Sequence, residues 1–198
     1  MKITNRQHAI IVGTLIGDGC LERNGKYVRL RIDHSIKQKE YLLWKYNELK
    51  TLVPSKPIII SSYHQKTEKE YKRLHFATYS LNLFECYWKA LYTNNRKTIS
   101  SFIYTWLKDP LSLAVWYMDD GYKRNDCNAL RISTDTFSLL EQKVLQDVLK
   151  KNFNIMATLH RKGKWWNLYI PQKEAYKFVE LVFPYIIPSL KYKIALTP

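Results

Sequence analysis

The chain has 198 residues, of which 32 are Lys or Arg and 17 are Asp or Glu, so its formal net charge is +15. This charge excludes an ordinary housekeeping domain and indicates a polyanionic partner, because a compact body so basic repels itself until phosphates neutralise it. Hydrophobic residues make up 46% of the chain, which excludes disorder and provides enough apolar surface for a large core.

Membrane insertion and thiol-based metal binding find little support. The longest uncharged apolar stretch, Ala9–Gly17, is far shorter than the roughly 20 residues that a spanning helix needs. The N-terminus lacks the apolar region of a signal peptide, and Cys20, Cys86 and Cys127 lie far apart without a CxxC pair. We therefore expect a soluble intracellular protein without disulfides or structural zinc.

The predicted elements follow the order αββαββα, twice. The first half, residues 1–100, begins with a helix capped by Thr4 or Asn5 and stopped by Gly17 and Gly19, followed by a hairpin that turns at Asn24-Gly25. A helix over Lys39–Val53 comes next, with apolar spacing of Leu42, Leu43, Tyr46 and Leu49. Strands near Pro57–Tyr63 and Tyr71–Ser80 and a helix around Leu81–Tyr92 complete this half. The second half, residues 101–198, begins with a helix ending at Gly121 and a strand pair containing Leu130-Arg131-Ile132. A helix over Ser138–Phe153 follows, then a strand pair within Ile155–Ile170 that turns near Gly163, and finally a helix over Lys173–Phe183. Leu30-Arg31-Ile32 recurs as Leu130-Arg131-Ile132, so one unit of about 100 residues is repeated.

Alternation within the strands predicts one apolar and one cationic or aromatic face. Val28, Leu30 and Ile32 point one way in the first hairpin, and the side chains between them point the other way. Arginine, asparagine and aromatic side chains on such a face suit base edges, phosphates and sugars in a DNA major groove. The predicted DNA contacts are Arg29, Arg31, Arg73, His75, Arg131, His160, Arg161, Trp165, Asn167 and Tyr169.

Two apolar helices end in Asp-Gly, at Asp18 and at Asp120. A carboxylate at a helix C-terminus is unfavourable because the macrodipole is negative there, so a bound cation would compensate it. If the helices pack side by side through Gly13 and Gly17, the carboxylates meet in an oxygen-rich site suited to Mg²⁺ or Mn²⁺. The alternative is that Asp-Gly merely closes each helix and begins a turn.

The runs Ile11–Gly19 and Leu113–Gly121 resemble the LAGLIDADG motif of homing endonucleases, in the monomeric branch that carries two motifs. The resemblance covers essentially the whole chain. It implies an α+β fold with a pseudo-twofold repeat, in which two antiparallel saddle-shaped sheets flank two motif helices packed at their interface. It also implies a site-specific double-strand DNA endonuclease that recognises a long asymmetric site and leaves short 3′ overhangs.

The resemblance assigns the site residues as well. Asp18 and Asp120 are implied to bind catalytic Mg²⁺, with Mn²⁺ as a substitute, and Gly17 and Asp119 to offer main-chain carbonyls. Lysines near each centre match Lys97 and Lys193, which lie 79 and 73 residues after the respective aspartates. One departure from the pattern is that Val115 replaces Gly13 and Asp119 replaces Gly17 in the second motif, which makes the small-residue contact one-sided.

Two other functions remain open. An intron maturase of the same fold would bind its cognate intron RNA without cutting, and a nonenzymatic regulator would bind DNA without needing Mg²⁺. The richness in Lys, Asn, Ile and Tyr is typical of an AT-rich gene. Together with the family's frequent occurrence in organellar introns, it favours a mitochondrial or chloroplast location, with archaeal and other hosts as the alternative.

Overall fold

The fold is described from a computed structural model, for residues 2–196. The helices and strands in chain order are α1 (Asn5–Ile16), β1 (Cys20–Asn24), β2 (Tyr27–Ser35), α2 (Lys39–Leu49), β3 (Ile58–His64), β4 (Lys69–Ala77), α3 (Leu83–Leu91), β5 (Tyr92–Thr93), β6 (Arg96–Lys97), α4 (Ile103–Trp106), α5 (Pro110–Asp120), β7 (Gly121–Lys123), β8 (Leu130–Ile132), α6 (Leu139–Phe153), β9 (Thr158–Lys162), β10 (Trp165–Ile170) and α7 (Gln172–Val182). None of the helices within this range is long and apolar enough to cross a bilayer.

The predicted repeat and its two sheets are confirmed. The strand order is β1-β2-β4-β3 in the first four-stranded sheet and β7-β8-β10-β9 in the second, and all pairings are antiparallel. Each sheet is built from two hairpins with a helix between them, which is the αββαββα order. The sequence did not predict the short helix α4 or the two-residue strands β5 and β6, because such short elements carry no periodicity.

The ends of the elements follow local sequence chemistry. Thr4 caps α1 through a reciprocal pair of hydrogen bonds with Gln7, each 3.1 Å long, so the cap is the first of the two predicted residues, Thr4 and Asn5. Gly25, with φ of +66°, turns the β1–β2 hairpin as predicted. The second motif helix begins earlier than its apolar run, because Asp109 caps it and Pro110 occupies its first position.

The chain divides into two compact units that do not coincide with the halves of the repeat. The first unit is Asp18–Trp88 and contains the β1–β4 sheet and α2. The second joins Lys2–Gly17 to the residues from 89 onward, so it contains both motif helices and the β7–β10 sheet. The boundary at residue 100 stays a prediction about the repeat.

In the first unit, α2 covers the apolar face of the sheet. Alternate residues of β2 are buried from Val28 to His34, as the predicted alternation requires. The buried stripe of α2 differs from the prediction, because it includes Tyr41 and Lys45 in addition to Leu42 and Leu49. Leu43 and Tyr46 are only partly buried.

In the second unit, α1 and α5 pack side by side with close backbone approach. A Cβ atom added at Gly13 would lie 2.4 Å from the Ser112 carbonyl oxygen and 2.7 Å from Val115 Cβ. The glycine of α1 thus accommodates the larger residue that replaces it in α5. A small residue in α1 therefore faces a larger one in α5, and this difference between the two motifs lets the helices pack closely.

Candidate active site

The first motif helix leads directly into an exposed carboxylate. The Gly17 N–H donates to the Gly13 carbonyl at 3.0 Å and ends the helix. Asp18 is the next residue, and 45% of its side chain is exposed. The unpaired carbonyls at a helix C-terminus carry partial negative charge, so this position favours a cation close by.

Lys97 lies at the end of the first motif helix. Its Nζ donates to the Gly17 carbonyl oxygen at 2.7 Å. The β5–β6 hairpin presents this lysine, and its two-residue turn is formed by Asn94 and Asn95, with φ of 50° and 61°. Asparagine tolerates this left-handed conformation better than most residues, so the local sequence specifies the tight turn.

Glu141 holds the segment that carries Lys97. Its carboxylate accepts the Ile99 N–H at 3.0 Å and the Arg96 guanidinium at 3.0 Å, and it completes a capping box with Ser138 at the start of α6. Burial acts to raise the pKa of Glu141, but the hydrogen bonds from Ser138 and Ile99 and the charge of Arg96 outweigh it, so the pKa lies below its ordinary value. Sequence reasoning identified Lys97 but not this support.

The second motif helix also ends at an aspartate, but Asp120 is part of the helix, whereas Asp18 follows the capping Gly17. Asp120 is its last residue and is partly exposed, and the Asp120 carbonyl oxygen accepts the Ser133 N–H at 3.0 Å. Asp119, one residue earlier, is 9% exposed. The predicted position of Asp120 at a helix terminus is therefore confirmed.

Lys193 lies at the end of the second motif helix, as Lys97 does at the first. Its Nζ donates to the Met118 carbonyl at 2.6 Å and to the Asp119 carbonyl at 3.2 Å. The Tyr117 hydroxyl donates to the Lys193 carbonyl at 2.7 Å, which attaches the segment to the motif helix itself. Burial raises the pKa of Tyr117, so its phenol remains a donor at neutral pH. Each lysine thus bonds to the carbonyl immediately before a motif aspartate.

The carbonyls predicted as metal ligands, those of Gly17 and Asp119, are the oxygens that accept these lysines. A carbonyl oxygen has two lone pairs, so a lysine donor leaves room for a second partner. The Asp119 carboxylate lies against the first motif helix, because a Cβ atom at Gly17 would be 2.5 Å from Asp119 Oδ2. Gly17 is therefore required by the volume of Asp119.

The first unit contains two buried polar side chains near Asp18, those of His34 and Lys45, which the sequence analysis did not identify. His34 Nδ1 lies 3.6 Å from Asp18 Oδ2, and His34 Nε2 lies 3.3 Å from Lys45 Nζ. His34 continues the buried phase of β2, and Lys45 lies between Tyr41 and Leu49 in the buried stripe of α2. The signal available in the sequence was a polar residue at an apolar position of each pattern.

On the exposed face of the first sheet, acidic residues hold the predicted DNA-binding arginines. Glu22 contacts the Arg29 guanidinium at 2.5 Å and the Arg31 guanidinium at 2.8 Å. Glu22 lies opposite Arg29 in the antiparallel register of β1 and β2, and this pairing explains the contact. The two arginines are therefore oriented before any ligand arrives.

Asp33 of β2 contacts the predicted DNA-binding residues of β4 in the same way. It lies 3.0 Å from His75 Nδ1 and 3.7 Å from Arg73 Nε, and it also contacts Arg31 at 3.1 Å. The four predicted DNA contacts of this sheet thus share one face, as expected. The carboxylates of Glu22 and Asp33 lie among them on that face, a feature that the sequence analysis did not predict.

On the second sheet, the predicted contacts form an aromatic and cationic cluster. The His160 and Tyr169 rings stack with centroids 4.0 Å apart, and the Arg131 guanidinium lies 5.8 Å from the Tyr169 centroid. Burial lowers the pKa of His160, and the charges of Arg131 and Arg124 lower it further, so this imidazole is neutral at neutral pH. Stacked aromatic rings beside a guanidinium suit sugars and base faces.

The remaining predicted contacts differ in accessibility. Arg161 and Trp165 are exposed, near the β9–β10 turn, and Arg161 Nε donates to the Gly163 carbonyl at 3.0 Å. Asn167 requires a correction, because it is 0% exposed and its Oδ1 accepts the Thr134 N–H at 3.2 Å. Strand alternation assigned the correct face, but neighbouring residues cover the amide, so Asn167 supports the sheet instead of reaching a ligand.

Comparison with known proteins agrees with these features. The profile of the LAGLIDADG DNA endonuclease family matches residues 8–178, which is most of the chain. The chain belongs to the LAGLIDADG DNA endonuclease family. DNA endonuclease I-ChuI of Chlamydomonas applanata is 30% identical to this member, over 98% of this chain and 97% of its own length. Cytochrome b mRNA maturase bI2 of Debaryomyces hansenii is 31% identical, over 93% of this chain and 72% of its own. The solved structure of the homing endonuclease I-WcaI, bound to its DNA recognition sequence, has the same fold, with a TM-score of 0.92 at 23% identity over 100% of this chain and 89% of that one.

The motif ends of this LAGLIDADG protein offer donors that fit a hard divalent cation. The carboxylates of Asp18 and Asp120 reach the surface, and the adjacent carbonyls of Gly17 and Asp119 supply further oxygens. Mg²⁺ and Mn²⁺ prefer oxygen ligands and retain several waters, and carboxylates at helix C-termini are stabilised by such charge. The lysines beside these carbonyls supply positive charge at the same two places.

Proposed function

We propose that the protein is a homing endonuclease that binds a long asymmetric DNA site and hydrolyses a phosphodiester bond in each strand, leaving short 3′ overhangs. The observation that carries the proposal is the repeated motif end, where a lysine bonds to the carbonyl before an aspartate that is exposed in the first motif and partly exposed in the second. A fold stabilised for binding alone has no need of two such acidic and basic pairs.

Asp18 and Asp120 would hold the divalent metal, Mg²⁺ or Mn²⁺, through their carboxylates. When bound, the metal supplies an activated water and neutralises charge on the scissile phosphate. Lys97 and Lys193 hold their ammonium groups beside the motif termini, where they can neutralise a phosphate oxygen or orient the attacking water. Tyr117 and Glu141 keep the segments that carry these lysines in place.

The exposed sheet faces would bind the DNA. Arg29, Arg31, Arg73 and His75 in the first sheet, and Arg131, His160, Arg161, Trp165 and Tyr169 in the second, carry the donors and ring faces for this role. The net charge of +15 supplies the salt-dependent part of the affinity, and arginines held by Glu22 and Asp33 supply directional contacts.

The test is cleavage of DNA by the full chain and by aspartate variants. We expect the wild type to cut both strands of a plasmid carrying the intronless host gene in Mg²⁺ or Mn²⁺, and sequencing the ends would identify the site. Asp18→Asn and Asp120→Asn should each lower the rate of double-strand cleavage more than about a hundredfold, because several kcal/mol of transition-state stabilisation depends on the metal. DNA affinity should change little.

Asp126→Asn is the matched control, since Asp126 is exposed and paired with Arg124 in a loop of the second unit. It should cleave as the wild type does. A double Asp18→Asn/Asp120→Asn protein that still cuts its site would refute the assignment. Specific DNA binding that is indifferent to Mg²⁺, without cleavage, would indicate a regulator.

A maturase function is the second candidate, because one relative is a cytochrome b mRNA maturase. It predicts that the chain binds its own intron RNA and promotes splicing in a reaction that Asp18→Asn leaves intact. Splicing assays on the cognate intron separate the two activities.

A single chain carries both motif helices, so we propose that the monomer is the active form, which size-exclusion chromatography with light scattering tests. We also propose an organellar intron as the source of the gene, mitochondrial or chloroplast, on the strength of the maturase relative. Sequencing the flanking DNA tests this location.

A further inference from the structure

We propose that His34 and Lys45 position the Asp18 carboxylate through a buried polar chain, and that the position equivalent to His34 in the second repeat holds no histidine. This proposal rests on the function proposed above, in which Asp18 holds a metal. It concerns a different question, namely how the chain orients a carboxylate that is 45% exposed and would otherwise sample several rotamers.

The support is built from secondary structure. His34 belongs to the buried phase of β2, and only 1% of its side chain is exposed. Lys45 is 0% exposed and lies one helical turn from both Tyr41 and Leu49. The rings of His34 and Tyr41 are 5.0 Å apart, and the Lys45 ammonium lies 4.5 Å from the Tyr41 centroid, so aromatic contacts fix both side chains.

The order of the groups along this chain indicates one tautomer of His34. A charged lysine ammonium has donors only, so in the proposed arrangement the Nε2 atom, which lies 3.3 Å from Lys45 Nζ, is the acceptor. The ring proton is then on Nδ1, which faces Asp18 Oδ2 at 3.6 Å. In the proposed chain Lys45 donates to His34, and the protonated Nδ1 faces the carboxylate across a contact of 3.6 Å, which is longer than an ordinary hydrogen bond. Polar groups placed behind a ligand in this way orient it and tune its affinity for metals.

The same geometry argues against His34 as a metal ligand. Ligation through Nδ1 would require that atom to be unprotonated and would place the proton on Nε2, against the Lys45 ammonium. The Nδ1-protonated tautomer therefore corresponds to a positioning role and the Nε2-protonated tautomer to a ligating role, and the two can be distinguished in the absence of metal.

The second repeat has no corresponding imidazole. The repeat offset of 100 residues that relates Leu30 to Leu130 relates His34 to Thr134. The buried Thr134 hydroxyl donates to Gln142 Oε1 at 2.8 Å. The histidine is thus present in one repeat only, so its removal should affect the two DNA strands unequally.

The first test reads the tautomer directly. Long-range ¹H–¹⁵N correlation spectra of the full wild-type chain at neutral pH, without metal or DNA, should show His34 as neutral imidazole protonated at Nδ1. In Lys45→Met the two tautomers should become mixed, because the ammonium that selects Nε2 as acceptor is lost. Protonation at Nε2 in the wild type, or the imidazolium form, would overturn the proposal.

The second test measures metal dependence strand by strand. With each DNA strand labelled separately, His34→Leu and Lys45→Met should raise the Mn²⁺ or Mg²⁺ concentration for half-maximal cleavage about tenfold or more, on one strand more than on the other. Nicked product should then accumulate. His34→Asn, which restores an N–H near the Nδ1 position, should recover most of the wild-type metal dependence. A purely structural role predicts instead an equal loss on both strands with unchanged metal dependence.

Thr134→Val is the matched control, since it alters the equivalent buried position of the second repeat and should not reproduce the strand bias of His34→Leu. Equal metal dependence in wild type and His34→Leu would refute the positioning role while leaving the nuclease assignment intact. Conversely, a wild-type chain that cuts no DNA would refute the nuclease, and the tautomer measurement would still test the support.

Discussion

Gly13→Ala tests the close approach of α1 and α5. The new Cβ atom would lie 2.4 Å from the Ser112 carbonyl oxygen and 2.7 Å from Val115 Cβ, whereas ordinary contacts begin near 3.4 Å. A backbone oxygen cannot rotate away, so the helices must separate locally by about 1 Å. Overpacking of this kind costs about 1–3 kcal/mol, and the better helix propensity of alanine returns up to about 1 kcal/mol. We therefore expect a net destabilisation of about 1–2 kcal/mol.

Urea and thermal unfolding of the full chain measure this cost. For a chain of 198 residues, the expected change corresponds to a fall in Tm of about 2–8 °C with an unchanged urea m-value. Asn5→Ala is the control, because it introduces alanine at an exposed position of the same helix and should stay within about 0.5 kcal/mol of wild type. If Gly13→Ala is as stable as the control, the two motif helices do not approach as closely as described.

Two further predictions concern charged groups that support the site. Glu141→Gln should destabilise the protein by about 1–3 kcal/mol at neutral pH, because three donors lose a charged acceptor. Since folding lowers the Glu141 pKa, this contribution is present above the ordinary value of 4.5 and is lost as the pH falls through the lowered value, so wild type and variant should converge in acid urea titrations. Parallel curves would contradict this account. Arg31→Ala should cost about 1–3 kcal/mol of discrimination at one base pair, and Glu22→Gln should raise affinity for random DNA while lowering specificity, because Arg29 and Arg31 lose the carboxylate that orients them. Fluorescence polarisation with specific and scrambled duplexes at two salt concentrations measures both, and an unchanged specificity ratio in Glu22→Gln would count against pre-orientation.

The strand predictions illustrate what a local pattern contains. Alternation in β2 correctly separated Val28, Leu30 and Ile32 from Arg29 and Arg31, because a strand turns successive side chains to opposite faces. The same rule placed Asn167 on the outer face, yet neighbouring residues bury it completely. A period of two specifies the direction of a side chain but not what covers it.

The helix predictions show the corresponding limit. The start of α1 at Thr4 and its end at Gly17 follow from capping and backbone chemistry that act over a few residues. The buried stripe of α2 was only partly predicted, because a lysine at position 45 is apolar along its stem and can be buried where a partner receives its ammonium.

The amino-acid sequence by itself determined the repeat, the order of the elements, the positions of Asp18 and Asp120 at helix ends, and the cationic strand faces. These features depend on short-range periodicity, capping and composition. Only the tertiary structure decided that Lys97 and Lys193 bond to the carbonyls before those aspartates, and that His34 and Lys45 form a chain toward Asp18. Such contacts join residues far apart in sequence, and strand register and helix packing, which no local pattern encodes, bring them together.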